Sequence, residues 1–227
     1  MSVAIITGVS RGLGLALAEG LTDVGWQVVG DARDTDALAA AVARVPGLHT
    51  VPGDVTDPAH RAALITEARR LGGIDLLVNS AGTLGPSPLP TIADYPLDGL
   101  RDVIEANLVA PLALLQLALP DLRERAGAIV NITSDAAVEP YPGWGGYGAG
   151  KAALEQVSSV LAAEEQALRV WWADPGDLRT RMHQDAFPGE DISDRPLPET
   201  VVGAFVHLVT NRPPSGRVRL AELPVPA

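Results

Sequence analysis

Tyr147 and Lys151 stand four residues apart in the run Tyr147-Gly148-Ala149-Gly150-Lys151, and Lys151 is the single lysine of the chain. On a helix that spacing puts both side chains on one face. A phenol titrates near pH 10 and serves poorly as an acid or base at neutral pH, but a neighbouring ammonium favours the phenolate and brings that value down. Such a pair can pass a proton to or from a carbonyl or alcohol oxygen. Ser134 lies thirteen residues before Tyr147, and its hydroxyl can hydrogen-bond the same oxygen. Asn107 can hold a water that relays protons through Lys151. Near the start of the chain, Thr7-Gly8-Val9-Ser10-Arg11-Gly12-Leu13-Gly14 is a glycine turn between an apolar run and a helical one. Glycines there let a pyrophosphate approach backbone amides at a helix N-terminus. The same residues fit Gly-x-Ser-x-Gly, which would make Ser10 a hydrolytic nucleophile. Only one strand precedes Ser10, and His49, His60, His183 and His207 are scattered, so the hydrolase reading is the weaker one.

Short β-branched runs alternate with Ala/Leu-rich stretches of helical period and must position these groups. The runs are Val3–Thr7, Gln27–Gly30, His49–Pro52, Asp75–Asn79, Ala128–Thr133, Arg169–Ala173 and Arg217–Leu220. Helices are expected at Leu13–Val24, Thr35–Arg44, Pro58–Leu71, Leu97–Leu119, Tyr147–Leu168 and Glu199–Thr210. Strand and helix in alternation imply right-handed crossovers, hence a single doubly wound α/β domain of Rossmann type over residues 1–227. Its sheet is expected to be mainly parallel and seven-stranded, with helices on both faces. Strands such as Ile129-Val130-Asn131-Ile132, apolar on both sides, suit a covered parallel sheet. The Pro/Gly-rich stretches Gly82–Pro90, Glu139–Gly148 and Phe187–Pro198 follow strands. Loops at the carboxyl ends of parallel strands build the ligand crevice.

Composition narrows the function classes. The chain has 227 residues, 47% hydrophobic and 20% charged, which excludes disorder and coiled coil. A net charge of −11 with no basic patch argues against nucleic acid and anionic lipid. No cysteine is present, which removes disulfides, thiolate metal sites and Cys nucleophiles. The histidines are not spaced as metal ligands. No run of 18 apolar residues suggests a membrane span, and Met1 leads straight into a strand rather than a signal sequence, so a cytoplasmic protein is expected.

Taken together, the motifs resemble the short-chain dehydrogenase/reductase family in its single-domain form, over nearly the whole chain. Gly8, Gly12 and Gly14 have the spacing of its cofactor turn. Asn79-Ser80-Ala81-Gly82 is similar to its Asn-Asn-Ala-Gly signature, with Ser80 in place of the second Asn, and Asn107, Ser134, Tyr147 and Lys151 match its catalytic tetrad. Pro175-Gly176-Asp177-Leu178-Arg179-Thr180 matches its Pro-Gly-x-x-x-Thr segment, and Asp54-Val55 resembles the pair that contacts adenine. The resemblance implies hydride transfer between nicotinamide and a carbonyl or secondary alcohol. Tyr147 would be the acid/base, Ser134 would position the oxygen, Lys151 would lower the Tyr147 pKa and grip the ribose, and Asn107 would support the water relay. The cofactor would contact Gly8, Ser10, Arg11, Gly12, Leu13, Gly14, Arg33, Asp54, Val55, Asn79, Ala81, Gly82, Tyr147, Lys151, Pro175, Gly176, Leu178 and Thr180. Residues 1–95 would form the cofactor half and 96–227 the catalytic and substrate half, with a lid at about 181–198. A regulator or scaffold that binds the nucleotide without turnover is the alternative, and the intact tetrad speaks against it.

An acid at the end of the second strand selects NAD, whereas Arg suits a 2′-phosphate. The acid's usual position is Ala32, and Arg33 and Arg11 can fork onto one phosphate. NADP(H) is therefore favoured over NAD(H), with Asp31 the complication if it turns toward the ribose. Two segments should cover the nicotinamide, Asp135–Gly146 with Tyr141 and Trp144, and Arg181–Pro198. Trp144 can form a flat wall for substrate. His183 and Met182 are expected on the solvent side of a charged, mobile lid. The tail Leu223-Pro224-Val225-Pro226-Ala227 lacks the family's usual Gly-rich end. A homodimer or homotetramer through the long helices around Asn107 and after Tyr147 is expected from the resemblance.

Overall fold

Val3, Ala4, Ile5 and Ile6 form β1 (Val3–Ile6), and all four side chains are buried. A strand apolar on both sides belongs in the middle of a covered parallel sheet. It pairs with β2 (Gln27–Ala32) on one side; β3 (Leu48–Pro52) lies beyond β2, and β4 (Leu76–Asn79) lies on the other side of β1. The computed structural model describes residues 1–223. With β5 (Ala128–Ile132), β6 (Arg169–Asp174) and β7 (Gly216–Arg219) the order is β3-β2-β1-β4-β5-β6-β7, and every pair is parallel. Each strand lies within two residues of its expected bounds. The chain winds outward from β1 to β3, returns beside β1 as β4, and winds outward again to β7. The loops after β1 and β4 therefore diverge and open a crevice at the carboxyl edge.

The helices are α1 (Gly12–Asp23), α2 (Thr35–Arg44), α3 (Pro58–Arg70), α4 (Leu97–Ile104), α5 (Ala110–Glu124), α6 (Gly145–Glu164), α7 (Arg181–Ala186) and α8 (Val202–Asn211). The pleat of the strands divides the core in two. Ala4, Ile6, Val28, Val130 and Trp171 meet Leu17, Leu21, Leu38 and Phe205 from α1, α2 and α8. Val3, Ile5, Leu77, Ile129 and Val170 meet Leu64, Leu114, Leu122 and Leu161 from α3, α5 and α6. Of the Trp171-Trp172 pair, Trp171 is fully buried in the first layer.

Two departures from the expected elements matter. The helix expected at Leu97–Leu119 runs to Glu124 and is interrupted by a widened π turn over Glu105–Val109. By length and composition this run would also pass for a membrane span, but Leu114, Leu115, Ala118 and Leu122 pack into the second core layer. The segment expected as a lid loop contains α7, because the Thr180 side chain accepts a hydrogen bond from the His183 amide and caps a helical turn. The tail expectation lies, beyond Leu223, outside the described residues.

Candidate active site

The glycine turn folds back on itself. Gly8 has φ +79°, and a Cβ there would sit 3.2 Å from Ala81 Cα. A Cβ on Gly14 would come within 2.3 Å of the Gly8 carbonyl oxygen, so glycine is required at both places. Thr7 Oγ1 accepts from the amides of Ser80 and Ala81 at 3.0 and 2.9 Å, which fixes the turn against the loop after β4. Arg11 sits at the N-cap of α1 without a side-chain cap bond. The first-turn amides and the positive end of the helix dipole are thus left for an anion. Gly8, Ser10, Arg11, Gly12, Leu13 and Gly14 line a cleft of about 1320 Å³, and these residues fit the pyrophosphate of a dinucleotide.

The opposite wall carries the acid–base candidates. Ser134 follows β5, and Tyr147 and Lys151 lie on α6, four residues apart on one face. All three line the same cleft. Lys151 is buried, donates to the Ile132 carbonyl at 2.8 Å and lies 5.6 Å from the centre of the Tyr147 ring. Burial pulls its pKa down to about 8. The expected lowering of the Tyr147 pKa does not appear in the protein by itself. Burial pushes that phenol well above its ordinary value; the Ser134 hydroxyl pulls it back, and the charges of Asp135 and Asp174 push it further up. Ser134 Oγ donates to Asp135 Oδ1 at 2.9 Å, and Asp135 Oδ2 accepts from Tyr141 Oη at 3.0 Å. Beneath them, Arg217 of β7 reaches the Ser134 carbonyl at 3.2 Å, Asp174 at 3.0 Å and Glu155 at 3.1 Å.

Asp31 lines the cleft, but both of its carboxylate oxygens are already held within the protein. It is 2% exposed; its Oδ1 accepts from the Gly8 amide at 2.7 Å, and its Oδ2 lies 3.0 Å from His60 Nε2. The rim instead carries Arg11, paired with Asp34 at 2.8 Å, and Arg33, 3.7 Å from Asp54. Asp54 and Val55 also line the cleft, as do Ala81, Gly82, Pro175, Gly176, Leu178 and Thr180. Burial acts against the Asp54 charge, yet hydrogen bonds from Thr56, with Arg33 and His60 nearby, hold its carboxyl below the ordinary value.

Two expected residues stand behind the wall. Asn79 is buried and its Nδ2 donates to Asn131 Oδ1 at 2.8 Å, which ties β4 to β5. Asn107 is fully buried in the π turn; its Oδ1 accepts from the Thr83 amide at 2.8 Å and its Nδ2 donates to the Thr83 carbonyl at 2.9 Å. It therefore anchors the loop that forms the cleft wall.

At the substrate end, Trp144 packs edge-on against Tyr147 at 5.7 Å and lies 6.0 Å from Phe187. His183 and Met182 line the cleft rather than facing solvent, and the His183 side chain is 10% exposed and stacked on Phe187 at 5.0 Å. The α7 turn capped by Thr180 carries them inward, and no loop reading of that charged segment could reveal it. Sequence reasoning also missed Asp135, Arg217 and the role of His60. Asp135 was findable from its place beside Ser134, and Arg217 from the anomaly of an arginine inside a strand. His60 gives no local signal, since its partner is 29 residues away.

A parallel doubly wound sheet, with a dinucleotide-shaped cleft across its switch point and a Ser, Tyr and Lys on the far wall, defines an α/β oxidoreductase of Rossmann type. The family model for short chain dehydrogenase matches residues 2–191. A serine 3-dehydrogenase of Rhizobium radiobacter is 32% identical over 96% of this chain and 92% of its own. The crystal structure of the KRED1-Pglu enzyme superposes with a TM-score of 0.86 at 30% identity, covering 95% of this chain and all of that one. A short chain dehydrogenase of Shigella flexneri in complex with NADP superposes with a TM-score of 0.89 at 25% identity, covering 97% of each chain. The chain belongs to the short-chain dehydrogenase/reductase family, whose members bind nicotinamide cofactors and act on CH–OH and C=O groups.

Proposed function

We propose that this protein is an NADP(H)-dependent oxidoreductase that interconverts a carbonyl and a secondary alcohol, with Tyr147 moving the proton. The convergence of Ser134, Tyr147 and Lys151 on the wall opposite the glycine turn carries this reading. The bound nicotinamide supplies or accepts the hydride. Tyr147 Oη gives a proton to the carbonyl oxygen, or takes one from the alcohol, while Ser134 Oγ orients that oxygen. Lys151, buried with a pKa near 8, grips the cofactor ribose and loses or regains its proton with little cost near neutral pH. Asn107 holds the Thr83 backbone and so the loop beside Lys151.

The preference for NADP(H) rests on Ala32, which offers no acid, on Asp31, which is turned inward, and on Arg11 and Arg33 at the rim. Their partners Asp34 and Asp54 hold them through exposed ion pairs, which are weak and easily exchanged for a phosphate. The NADP complex of the Shigella flexneri relative supports the same choice. The apolar surface groove between α5 and α6, lined by Leu112, Leu115, Val157, Val160 and Leu161, supports a homodimer or homotetramer. We place the protein in the cytoplasm. Titration with NADPH and with NADH, followed by tryptophan fluorescence, tests the reading. NADPH should bind at least about tenfold more tightly, a difference of about 1.4 kcal/mol. Tighter NADH binding would overturn the cofactor choice, and binding of neither would overturn the oxidoreductase reading. Among the described residues, no histidine is bonded to Ser10: His60 meets Asp31, and His207 meets Asn211. That gives the hydrolase reading no base.

A further inference from the structure

Asp31 and His60 are buried at the glycine-turn side of the cleft, at 2% and 7% exposure, with Asp31 lining it and His60 behind. Asp31 takes two consecutive amides of the glycine turn. Its carboxylate accepts from Gly8 at 2.7 Å and its backbone carbonyl accepts from Val9 at 2.9 Å. The free oxygen of that carboxylate is held by His60 Nε2 at 3.0 Å, from the first turn of α3. The other edge of the imidazole fills the space above Gly53, where a Cβ would sit only 2.3 Å from His60 Nδ1. Gly53 opens the β3–α3 loop that carries Asp54 and Val55, both of which line the cleft. A continuous buried path thus runs Gly8–Asp31–His60–Gly53, joining the pyrophosphate turn to the adenine wall.

We propose that the Asp31–His60 pair is a positioning strut that sets the spacing between these two walls, and so governs affinity for the adenosine diphosphate portion of either nicotinamide cofactor without choosing between them. The inference rests on the cofactor-binding role proposed above. A buried carboxylate tolerates its charge only while its donors stay in place. Losing the imidazole would leave one Asp31 oxygen unpaired in the interior and loosen the Gly8 bond that the other oxygen still holds.

The test uses His60→Leu, His60→Gln and Asp31→Asn, with ADP, NADPH and NADH as probes. His60→Leu should weaken all three ligands together by about tenfold or more, the usual effect of losing a hydrogen bond to a charged group. The NADPH-to-NADH affinity ratio should stay within about twofold of the wild type, because Arg11 and Arg33, the proposed 2′-phosphate contacts, are left in place. His60→Gln keeps an amide donor for Asp31 and should recover most of the loss, which mere packing damage would not allow. Asp31→Asn is nearly isosteric and secures a readout if the leucine variant fails to fold; it should weaken both cofactors equally. A rise in the NADPH-to-NADH ratio in Asp31→Asn would show that Asp31 repels the 2′-phosphate and would overturn the strut. Unchanged ADP affinity in His60→Leu would overturn it as well. A wild-type protein that bound none of the probes would instead sink the cofactor reading beneath it, and the strut with it.

Discussion

Replacing Arg217 with Met tests how far the seventh strand supports the reacting groups. The guanidinium bridges Asp174 at 3.0 Å and Glu155 at 3.1 Å and reaches the Ser134 carbonyl at 3.2 Å. The side chains of Asp174 and Glu155 are only 5% and 13% exposed, whereas that of Arg217 is 23% exposed. The two hydrogen bonds to carboxylates alone amount to a gross loss of about 3–6 kcal/mol, and the bond to the Ser134 carbonyl is lost with them. Solvent at the guanidinium screens part of this, so about 2–3 kcal/mol is expected in practice. For a domain of this size that is a fall in Tm of roughly 5–10 °C. Most of the loss is the cost of two carboxylates left without a cation, so adding Asp174→Asn and Glu155→Gln to Arg217→Met should restore much of it. Thermal unfolding by circular dichroism gives the stabilities, and kcat/KM for any accepted ketone reports on the Ser134 backbone. The reasoning fails if the single variant melts with the wild type, or if the triple variant is no more stable than the single one.

Tyr147→Phe should bind NADPH normally yet lose about 10²–10⁴-fold in kcat, the range for a missing general acid; turnover within a few fold of wild type would refute the proton role. Arg11→Ala and Arg33→Ala should each weaken NADPH by roughly three- to tenfold and leave NADH unchanged, less so at high salt, as expected for partly exposed cation–phosphate contacts; equal losses for both cofactors would contradict the rim assignment. Lys151 titrates near 8 in the folded protein against an ordinary value of 10.5. The folded state then binds fewer protons than the unfolded state between these values, so this group adds stability as pH rises through that window, by at most about 1.4 kcal/mol per pH unit. The wild type should therefore gain stability relative to Lys151→Met from pH 8 to 10, and parallel melting curves would refute the burial argument.

What was legible in the sequence was whatever depends on period and spacing. The alternation of β-branched and helical runs located the central strands because a covered parallel sheet demands apolar residues on both faces, and the edge strands β3 and β7, which are mixed in polarity, followed from their place in the alternation. The glycine turn and the four-residue step from Tyr147 to Lys151 are local geometry, and both cluster on the cleft as that geometry requires. Contacts across the sheet were not legible. Nothing near Asp31 announces His60, and the question of whether Asp31 turns toward the ribose is answered by a buried pairing visible only once α3 packs on β2. Asn79 and Asn107 carry the expected identities at the expected places, but the Asn107 amide is spent at both ends on Thr83 and the Asn79 Nδ2 on Asn131. The inward placement of His183 depends on a helical turn capped by Thr180, which the charge pattern of the segment does not reveal.

The widened turn at Glu105–Val109 has a consequence for length variation in this chain. It inserts one residue between α4 and α5, each of which presents a different apolar stripe: Val103 packs near α6, and Leu114 and Leu122 pack on the sheet. Deleting that residue would turn α5 by about 100° and slide it about 1.5 Å relative to α4. Leu114 and Leu122 would swing off the sheet, or Asn107 would lose Thr83. Exposed loops away from the cleft can gain or shed residues, whereas here a single-codon deletion breaks the phase between two helical faces and uncouples the core from the cleft.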